Sequence, residues 1–333
     1  MTMGPKELSE RPDVQDPPST DVLAEVLDAM RLTTLMHGRF EVRAPWGLRF
    51  SGGDAAHFVV MGRGNARFEF DGRAPLALSA GDVAVLPHGG SHTLSDAEGS
   101  PIYVMQGGEC ERARMLGESI RMGGEGERTC LVTGSFRFGT HFRSPLFERL
   151  PSVLHIPADA PQQAVSSLMN TVQLLLAEST STSPGSTVIL SRLAEILLVQ
   201  ALRTHIAGSQ EEALGLRALS DPPIARALSL IHQQPGEGWT VEGLASAVAL
   251  SRSGFAARFS ALVGDPPLEY LARWRMTKAA QFLRDGHLSL EEVARQVGYQ
   301  SEASFNRAFK RWEGVAPGTY RRQARPRAPA SPH

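Results

Sequence analysis

The stretch that decides the fold of the C-terminal third reads LEEVARQVGYQSEASFNRAFKRW and covers residues 290–312. Residues 241–264, VEGLASAVALSRSGFAARFSALVG, repeat its pattern of a short helical segment, a tight turn and a second helical segment. Small residues in the first segment of each copy, Ala245 and Ala294, allow the second helix to cross close by at a steep angle. The two stretches therefore predict two helix-turn-helix motifs in tandem.

The second helix of each copy is predicted to bury one face and expose the other. Its two phenylalanines stand at positions i and i+4, as Phe255 and Phe259 in the first copy and as Phe305 and Phe309 in the second. Ser251 and Ser301 precede these helices, where a hydroxyl can cap free amides of the first turn. The opposite face is left for the major groove of DNA. A plain helical bundle would explain one such pattern, but it explains two copies in register poorly.

The charge of the chain is divided unevenly between its two parts. From Pro223 to the C-terminus there are 15 Lys/Arg and 9 Asp/Glu, a net charge of +6, and since the whole chain has −1, residues 1–222 carry −7. A basic C-terminal part and an acidic N-terminal part are typical of a DNA-binding module joined to a regulatory one.

Length and composition favour two globular domains without a membrane segment. The 333 residues, 42% of them hydrophobic, are enough for two sizeable cores. The polar, proline-interrupted start predicts no signal peptide. The most apolar run, residues 188–202, contains Arg192 and Glu195 and is short for a bilayer. We therefore expect a cytoplasmic protein whose two cysteines form no disulfide framework.

The N-terminal half changes from a short helix, residues 21–35, to strands separated by Gly, Pro and Asp turns. The predicted strands are residues 40–43, 57–61, 66–70, 76–78, 83–87, 92–94 and 130–138. Many short strands at this spacing predict a small antiparallel β-barrel or jelly roll. Two helices follow, residues 162–177 and 187–206, and we expect this helical pair to supply much of a dimer contact.

The predicted fold class is therefore α+β with two domains, of which the second is all-α. The expected divisions are a disordered arm at 1–19, a sensor domain at 20–160, the helical pair at 161–206, a linker at 207–222, the DNA-binding domain at 223–323 and a disordered tail at 324–333.

Two sets of residues resemble known families. The first consists of residues 278–283, 293–294, 297–299, 304–305, 309–310 and 317–321. It is similar to the DNA-binding domain of the AraC/XylS family of bacterial transcription regulators. Residues 81–92, GDVAVLPHGGSH, resemble the second motif of cupin-type sensor domains. Together they imply a dimeric regulator similar to the cupin-bearing branch of the family that responds to reactive species.

The resemblance also implies which side chains read DNA. They are Arg252, Ser253, Ala256 and Ala257 on the first reading helix and Glu302, Ala303, Asn306, Arg307 and Lys310 on the second. Arg307 is the best candidate for a bidentate contact with guanine, and Lys310 for a phosphate contact. The alternative is that both are solvated charges on an exposed face. Because Ala256 and Ala257 replace longer polar side chains, the first helix is expected to read thymine methyls or DNA shape.

Cupin histidines on facing strands can hold a divalent metal such as zinc. The resemblance places His57 in the first cupin motif and His92 in the second, with His88 nearby. A stable site needs three or four donors, and Val59 stands where a second histidine is usual. The alternatives are ordinary core histidines, or a domain that binds a small organic effector without metal.

The two cysteines are candidates for oxidant sensing, because some cupin-bearing relatives respond to reactive chlorine through cysteines. Cys110 lies in a Gly/Glu-rich segment that we expect to be an exposed loop, although the adjacent glutamates disfavour a thiolate. Cys130 opens a strand and is expected to be buried and inert. The alternative is that neither cysteine has a signalling role.

The leading hypothesis is a homodimeric transcription regulator that binds promoter double-stranded DNA, meets RNA polymerase there as an activator or a repressor, and is controlled by an effector sensed in its N-terminal domain. The alternative is a cupin-type metalloenzyme fused to a DNA-binding domain. Such an enzyme needs a full metal shell with an open position. Because only two or three histidines are candidate ligands, we predict no enzymatic activity.

Overall fold

The computed structural model describes residues 21–30, 32–70, 72–116, 118–138, 145–160, 162–208 and 214–324. The predicted arm at residues 1–19 and residues 325–333 of the predicted tail lie outside these ranges. Within them, strands dominate the N-terminal half and helices the rest, as the sequence predicts.

The strands belong to two separate sheets. Their bounds are β1 Thr33–Arg43, β2 Gly47–Phe50, β3 Ala56–Arg63, β4 Ala66–Phe70, β5 Leu76–Leu78, β6 Val83–Leu86, β7 His92–Ser95, β8 Tyr103–Val104, β9 Ile120–Gly123, β10 Arg128–Arg137 and β11 Leu154–Ile156. One sheet has the order β11-β6-β3-β10-β1-β9, and the other has the order β5-β4-β7-β2-β8. The sheets share a core but are not joined along their edges. Of the two predicted forms, the β-barrel is therefore not closed, whereas the jelly roll is itself built of two sheets. The alternation of side chains defines strands and faces but not which edges pair.

Parallel pairing also departs from the prediction of an antiparallel domain. β1 pairs with β9 in parallel, and β2 pairs with β8 in parallel, whereas the other strand pairs are antiparallel. Strands β2, β8, β9 and β11 have no counterpart among the predicted strands. They are two to four residues long, as are the predicted β5, β6 and β7, so a period-2 pattern of this length does not separate strand from loop.

Strand β3 is buried on both faces, and its alternation explains how the layers are arranged. Val59 and Met61 point into the core between the two sheets. Phe58 and Val60 point to the opposite side and pack against the helical pair. Six successive buried residues in β3 follow from this three-layer arrangement of sheet, sheet and helices.

The helices have the following bounds: α1 Val22–Met30, α2 Gly107–Leu116, α3 Pro145–Glu148, α4 Gln162–Glu178, α5 Ser186–Gly208, α6 Leu214–Ser220, α7 Pro222–Gln233, α8 Val241–Ala247, α9 Arg252–Val263, α10 Pro267–Asp285, α11 Leu290–Gln296, α12 Glu302–Glu313 and α13 Pro317–Ala324. Helices α4 and α5 are the predicted helical pair, and α6 lies within the predicted linker. Helix α7 begins at the two prolines because the first turn of a helix tolerates proline, and the Asp221 side chain accepts from the amide of Ile224 there. None of the helices in the described ranges combines the length and the apolar composition that a bilayer-spanning segment requires.

Helix α1 belongs to two hydrophobic cores at once. Leu23 packs into the core shared by the six-stranded sheet and the helical pair. Val22, Val26 and Ala29 pack into the core of the first helix-turn-helix unit, about 200 residues further along the chain. The helix is shorter than the predicted 21–35, because the β-branched Thr33 and the residue after it begin β1. This helix therefore connects the sheet half of the chain to the helical half.

Candidate nucleic-acid interface

Helices α9 and α12 occupy the second position of each helix-turn-helix motif and are built alike. The predicted phenylalanine pairs are fully buried in both, and the rings of each pair lie 5.5 Å apart. Ser251 accepts a hydrogen bond from the amide of Gly254, and Ser301 accepts one from the amide of Ser304, both at 3.2 Å. The predicted N-caps are confirmed, so each helix begins at a defined residue.

The turns before these helices use the left-handed backbone region. In the second motif Gly298 has a φ of +81°, and a Cβ there would lie 2.7 Å from Nη2 of Arg275 and 2.8 Å from the carbonyl of Gly236. In the first motif Ala249 adopts a φ of 56°, which is uncommon for a residue with a side chain. The same tight turn therefore sets the crossing of the two helices in both copies.

The outer face of α12 carries most of the predicted DNA-reading side chains. Glu302, Ala303, Arg307 and Lys310 are exposed, and Asn306 is half-buried. Asn306 donates from Nδ2 to Oε1 of Glu302 at 3.4 Å. Arg311 is also exposed and lies one turn after Arg307, so it adds a third cation to this face. Arg311 was not among the predicted DNA-reading residues, although its i+4 spacing from Arg307 indicates the same face.

The outer face of α9 is different, because it exposes small side chains and its cations are paired. Ser253 and Ala257 are exposed, and Ala256 is half-buried. Nε of Arg252 lies 2.6 Å from Oε1 of Glu242. Nε of Arg258 donates to Oδ2 of Asp221 at 2.9 Å. A phosphate that approaches α9 must compete with these carboxylates for the arginines.

A buried histidine joins α1 to the first helix-turn-helix unit. His232 lies 2.9 Å from Oε2 of Glu25 through Nδ1 and 2.7 Å from the hydroxyl of Tyr270 through Nε2, and its ring stacks on Trp274 at 3.7 Å. Because a carboxylate only accepts, Nδ1 of the neutral ring donates to Glu25 and Nε2 accepts from Tyr270. Burial lowers the pKa of His232, and Glu25 opposes this shift.

Arginines make further contacts between the two halves. Nη1 of Arg149, just after α3, donates to the carbonyl of Ala261 in α9 at 3.0 Å. Nε of Arg273 in α10 lies 3.1 Å from Oδ2 of Asp265, and its Nη1 donates to Oε2 of Glu148 in α3 at 3.4 Å. The first reading helix is thus held by residues from both halves of the chain.

The three histidines predicted as metal ligands do not form one donor set. The rings of His57 and His92 lie 5.0 Å apart, edge to face. His88 instead contacts the carbonyl of Leu150 through Nε2 at 2.8 Å. In the part of the chain that the structure describes, no group of three or more His, Cys, Asp or Glu side chains is placed to hold a metal. The residues present therefore do not fit the predicted zinc site.

The cysteines are both buried, which corrects the expected exposure of Cys110. Cys110 lies in helix α2, whereas its Gly/Glu-rich surroundings in the sequence predicted a loop. Its side chain packs into the core between the two sheets. Cys130 is buried in β10 as expected, and burial raises the pKa of its thiol. Burial of both thiols disfavours a reactive thiolate in this conformation.

Two capped helices, each with a buried aromatic face and an exposed outer face, define a DNA-binding protein that also carries a sheet domain. Residues 21–207 match the Cupin family and residues 244–323 match the helix-turn-helix domain family. A putative AraC-like transcription regulator of Streptomyces lividans is 38% identical over 91% of this chain and 98% of its own length.

Two further relatives are similar in sequence to this chain over most of their length. AlkR, an HTH-type transcriptional regulator of Acinetobacter baylyi, is 30% identical over 91% of this chain and 100% of its own length. RclR of Escherichia coli, an RCS-specific HTH-type transcriptional activator, is 29% identical over 85% of this chain and 91% of its own length. The chain belongs to the AraC family of transcription regulators and carries a cupin domain. Its relatives are named as regulators rather than as enzymes, in line with the prediction of no enzymatic activity.

Proposed function

We propose that this chain is a cytoplasmic, homodimeric regulator that binds promoter DNA in a sequence-specific manner, contacts RNA polymerase there and changes its DNA affinity when its sensor domain binds an effector. The observation that carries the proposal is the outer face of α12. It presents Arg307, Lys310 and Arg311 to solvent on a helix whose other face is fixed in the core.

The two reading helices have different tasks in this proposal. On α12, the guanidinium of Arg307 contacts guanine through two hydrogen bonds, and Lys310 contacts phosphate. On α9, the small side chains of Ser253, Ala256 and Ala257 permit a close approach to the groove, so this helix reads thymine methyls or DNA shape. Two reading helices in one chain would then cover two successive major grooves, or about two helical turns per protomer.

The test compares three single alanine variants in binding to the promoter and to random DNA over a series of salt concentrations. Arg307→Ala should relax base preference at one position of the site, with a loss on the cognate sequence of about 1–3 kcal/mol. Lys310→Ala should weaken both DNAs alike and reduce the salt slope by about one. Arg73→Ala is the matched control, because this exposed arginine lies on the sheet domain. Equal losses for Arg307→Ala on both DNAs would contradict its role in base reading.

Contacts between the halves support control of the first helix-turn-helix unit by the sheet domain. Helix α1 places Val26 in the core of the first helix-turn-helix unit and Leu23 in the core of the sheet domain. A shift of the sheet core can therefore move α1 and reach α7 and α10 through the Glu25–His232 contact. To test this coupling, effector-dependent changes in DNA affinity are compared between the wild type and Glu25→Gln. A wild-type response in the variant would exclude this contact as the route.

The outer surface of the helical pair supports a homodimer. Leu174 of α4 is 59% exposed, and Val188, Ile189 and Ile196 of α5 are 61%, 48% and 46% exposed. Exposed apolar side chains of this size on adjacent helices are typical of a protein–protein contact. Sedimentation of Ile196→Glu should show monomer at concentrations where the wild type is a dimer. Ile102→Glu, which changes an equally exposed residue next to β8, should remain dimeric.

A further inference from the structure

The sheet domain contains an open cavity of about 510 Å³. Strands β1 and β10, the connection from β2 to β3 and helix α2 form its walls. This volume lies in the range of sites that hold small organic molecules. The walls come from both sheets, including Phe50 of β2 and His57 of β3, and from α2, so a bound molecule would contact both sheets.

One wall of the cavity consists of aromatic rings and thioethers. The ring of Phe50 lies parallel to those of His37 and His92, at 5.8 Å with an interplanar angle of 18° and at 5.0 Å with 14°. His37 and Phe50 line the cavity, as do Met36 and Met105. Flat ring faces and polarisable sulfur atoms favour a planar, unsaturated ligand over a branched or saturated one.

A polar group within this wall has no partner. His57 lines the cavity and is 8% exposed, and its Nδ1 has no hydrogen-bond partner within the described residues. Nδ1 is shielded from solvent in this conformation, and a 180° rotation of the ring would exchange its position with that of Cδ2. An unpaired buried imidazole costs free energy until a ligand supplies a hydrogen bond.

The imidazoles of His57 and His92 carry no charge at neutral pH. Burial lowers the pKa of His57, and it lowers the pKa of His92 to about 3. A neutral imidazole has one donor and one acceptor nitrogen, and it therefore suits a hydroxyl, which both donates and accepts. A carboxylate would lose its hydration there without gaining a cation. Arg137 and Glu111, which line the exposed part of the cavity, have opposite charges and do not select for either sign.

We propose that this cavity binds an uncharged aromatic compound with a ring hydroxyl, a phenol, whose ring packs on the wall formed by His37, Phe50 and Met105 and whose hydroxyl bonds to His57. The proposal rests on the proposed function, because the phenol would be the effector of the sensor domain. Binding of the phenol in this cavity requires no metal and no reaction of the cysteines.

The test uses calorimetric titration of the full-length protein at pH 7 with 2-naphthol, naphthalene and 2-naphthoate. One hydrogen bond to a neutral partner predicts that 2-naphthol binds about tenfold more tightly than naphthalene. The carboxylate should bind most weakly. In His57→Leu, which keeps the apolar volume and removes both nitrogens, the affinity for 2-naphthol should fall to that for naphthalene. His88→Gln, which can still donate to the carbonyl of Leu150, should behave like the wild type.

Each contrary result overturns the proposal. Equal binding of 2-naphthol and naphthalene, tighter binding of 2-naphthoate, or no binding of any probe by the wild-type protein would exclude a phenol site. If His57→Leu does not fold, the affinities of the wild-type protein for the three probes still test the proposal. DNA affinity measured on the same samples separates the two proposals. If the protein prefers promoter DNA to random DNA but does not prefer 2-naphthol to naphthalene, only the proposed ligand class is rejected. If it prefers 2-naphthol but does not prefer promoter DNA, only the regulator proposal is rejected.

Discussion

Acid should destabilise the sheet domain through His92. This side chain is 3% exposed, faces the rings of His57, Phe50 and Phe68, and contacts the carbonyl of Gly90 through Nδ1 at 3.4 Å. Burial is the main cause that lowers its pKa from 6.5 to about 3, and nearby His57 and His37 lower it further. The folded protein therefore keeps His92 neutral at pH values where the unfolded chain binds a proton.

The sign and size of the effect follow from these two pKa values. Above about pH 6.5 His92 is largely unprotonated in both the folded and the unfolded protein. Its burial then does not lower the free energy of unfolding. As the pH falls from 6.5 towards 3, the unfolded state gains a proton that the folded state does not bind, so the free energy of unfolding decreases. The loss between pH 7 and pH 5 is about 2 kcal/mol.

The assay is urea unfolding at pH 7 and at pH 5, monitored by ¹⁹F NMR of protein labelled with 5-fluorotryptophan. The signal of Trp46, which is 2% exposed in the core between the sheets, reports the sheet domain separately from the helical domain. Between pH 7 and pH 5, the free energy of unfolding of the sheet domain should fall by about 2 kcal/mol less in His92→Gln than in the wild type. The exposed His287→Gln should lose as much as the wild type. Equal losses in His92→Gln and the wild type, or an NMR titration of His92 near pH 6.5, would refute the reasoning.

Three further substitutions test the packing in urea unfolding of the full-length protein. Val26→Ala should lower the unfolding free energy of the helical domain by about 1–2 kcal/mol, because two methyl groups leave its core, and an unchanged midpoint for that domain would contradict the role of α1. Ser289→Ala should cost about 1 kcal/mol through loss of the capping box of α11, and no loss would show that the cap is not stabilising. Gly134→Ala should destabilise the six-stranded sheet by about 1–3 kcal/mol, because the new Cβ would lie 2.5 Å from Cε1 of Phe58. Gly53→Ala, with no atom within 4 Å of its Cβ, is the control, and equal effects of the two glycine substitutions would contradict the contact.

The helical domain could be predicted closely because its pattern is local. The 3.6-residue period, the serine caps and the aromatic pairs all act within a few residues of each other along the chain. The predicted caps at Ser251 and Ser301 and the burial of Phe305 and Phe309 are accordingly present. The predicted strands were also largely present, since a period of two is a local signal as well.

The site was less predictable, because it depends on contacts between distant segments. The pairing of Arg252 with Glu242 and of Arg258 with Asp221 changes what α9 offers to DNA. His88 turns to the carbonyl of Leu150 instead of joining His57, so the expected donor set is not formed. Neither outcome follows from residue type or spacing.

The sequence alone determined the class of this protein. Two helix-turn-helix patterns and a charge divided between the two halves are properties of neighbouring residues and of composition. Only the tertiary structure decided that the sheets remain open, that α1 packs into both cores, and that an unpaired His57 lines a cavity with an aromatic wall. Sheet edges, shared cores and cavities arise from segments that are far apart in the chain, and hydrophobic burial, which drives their packing, depends on area and not on order in the sequence.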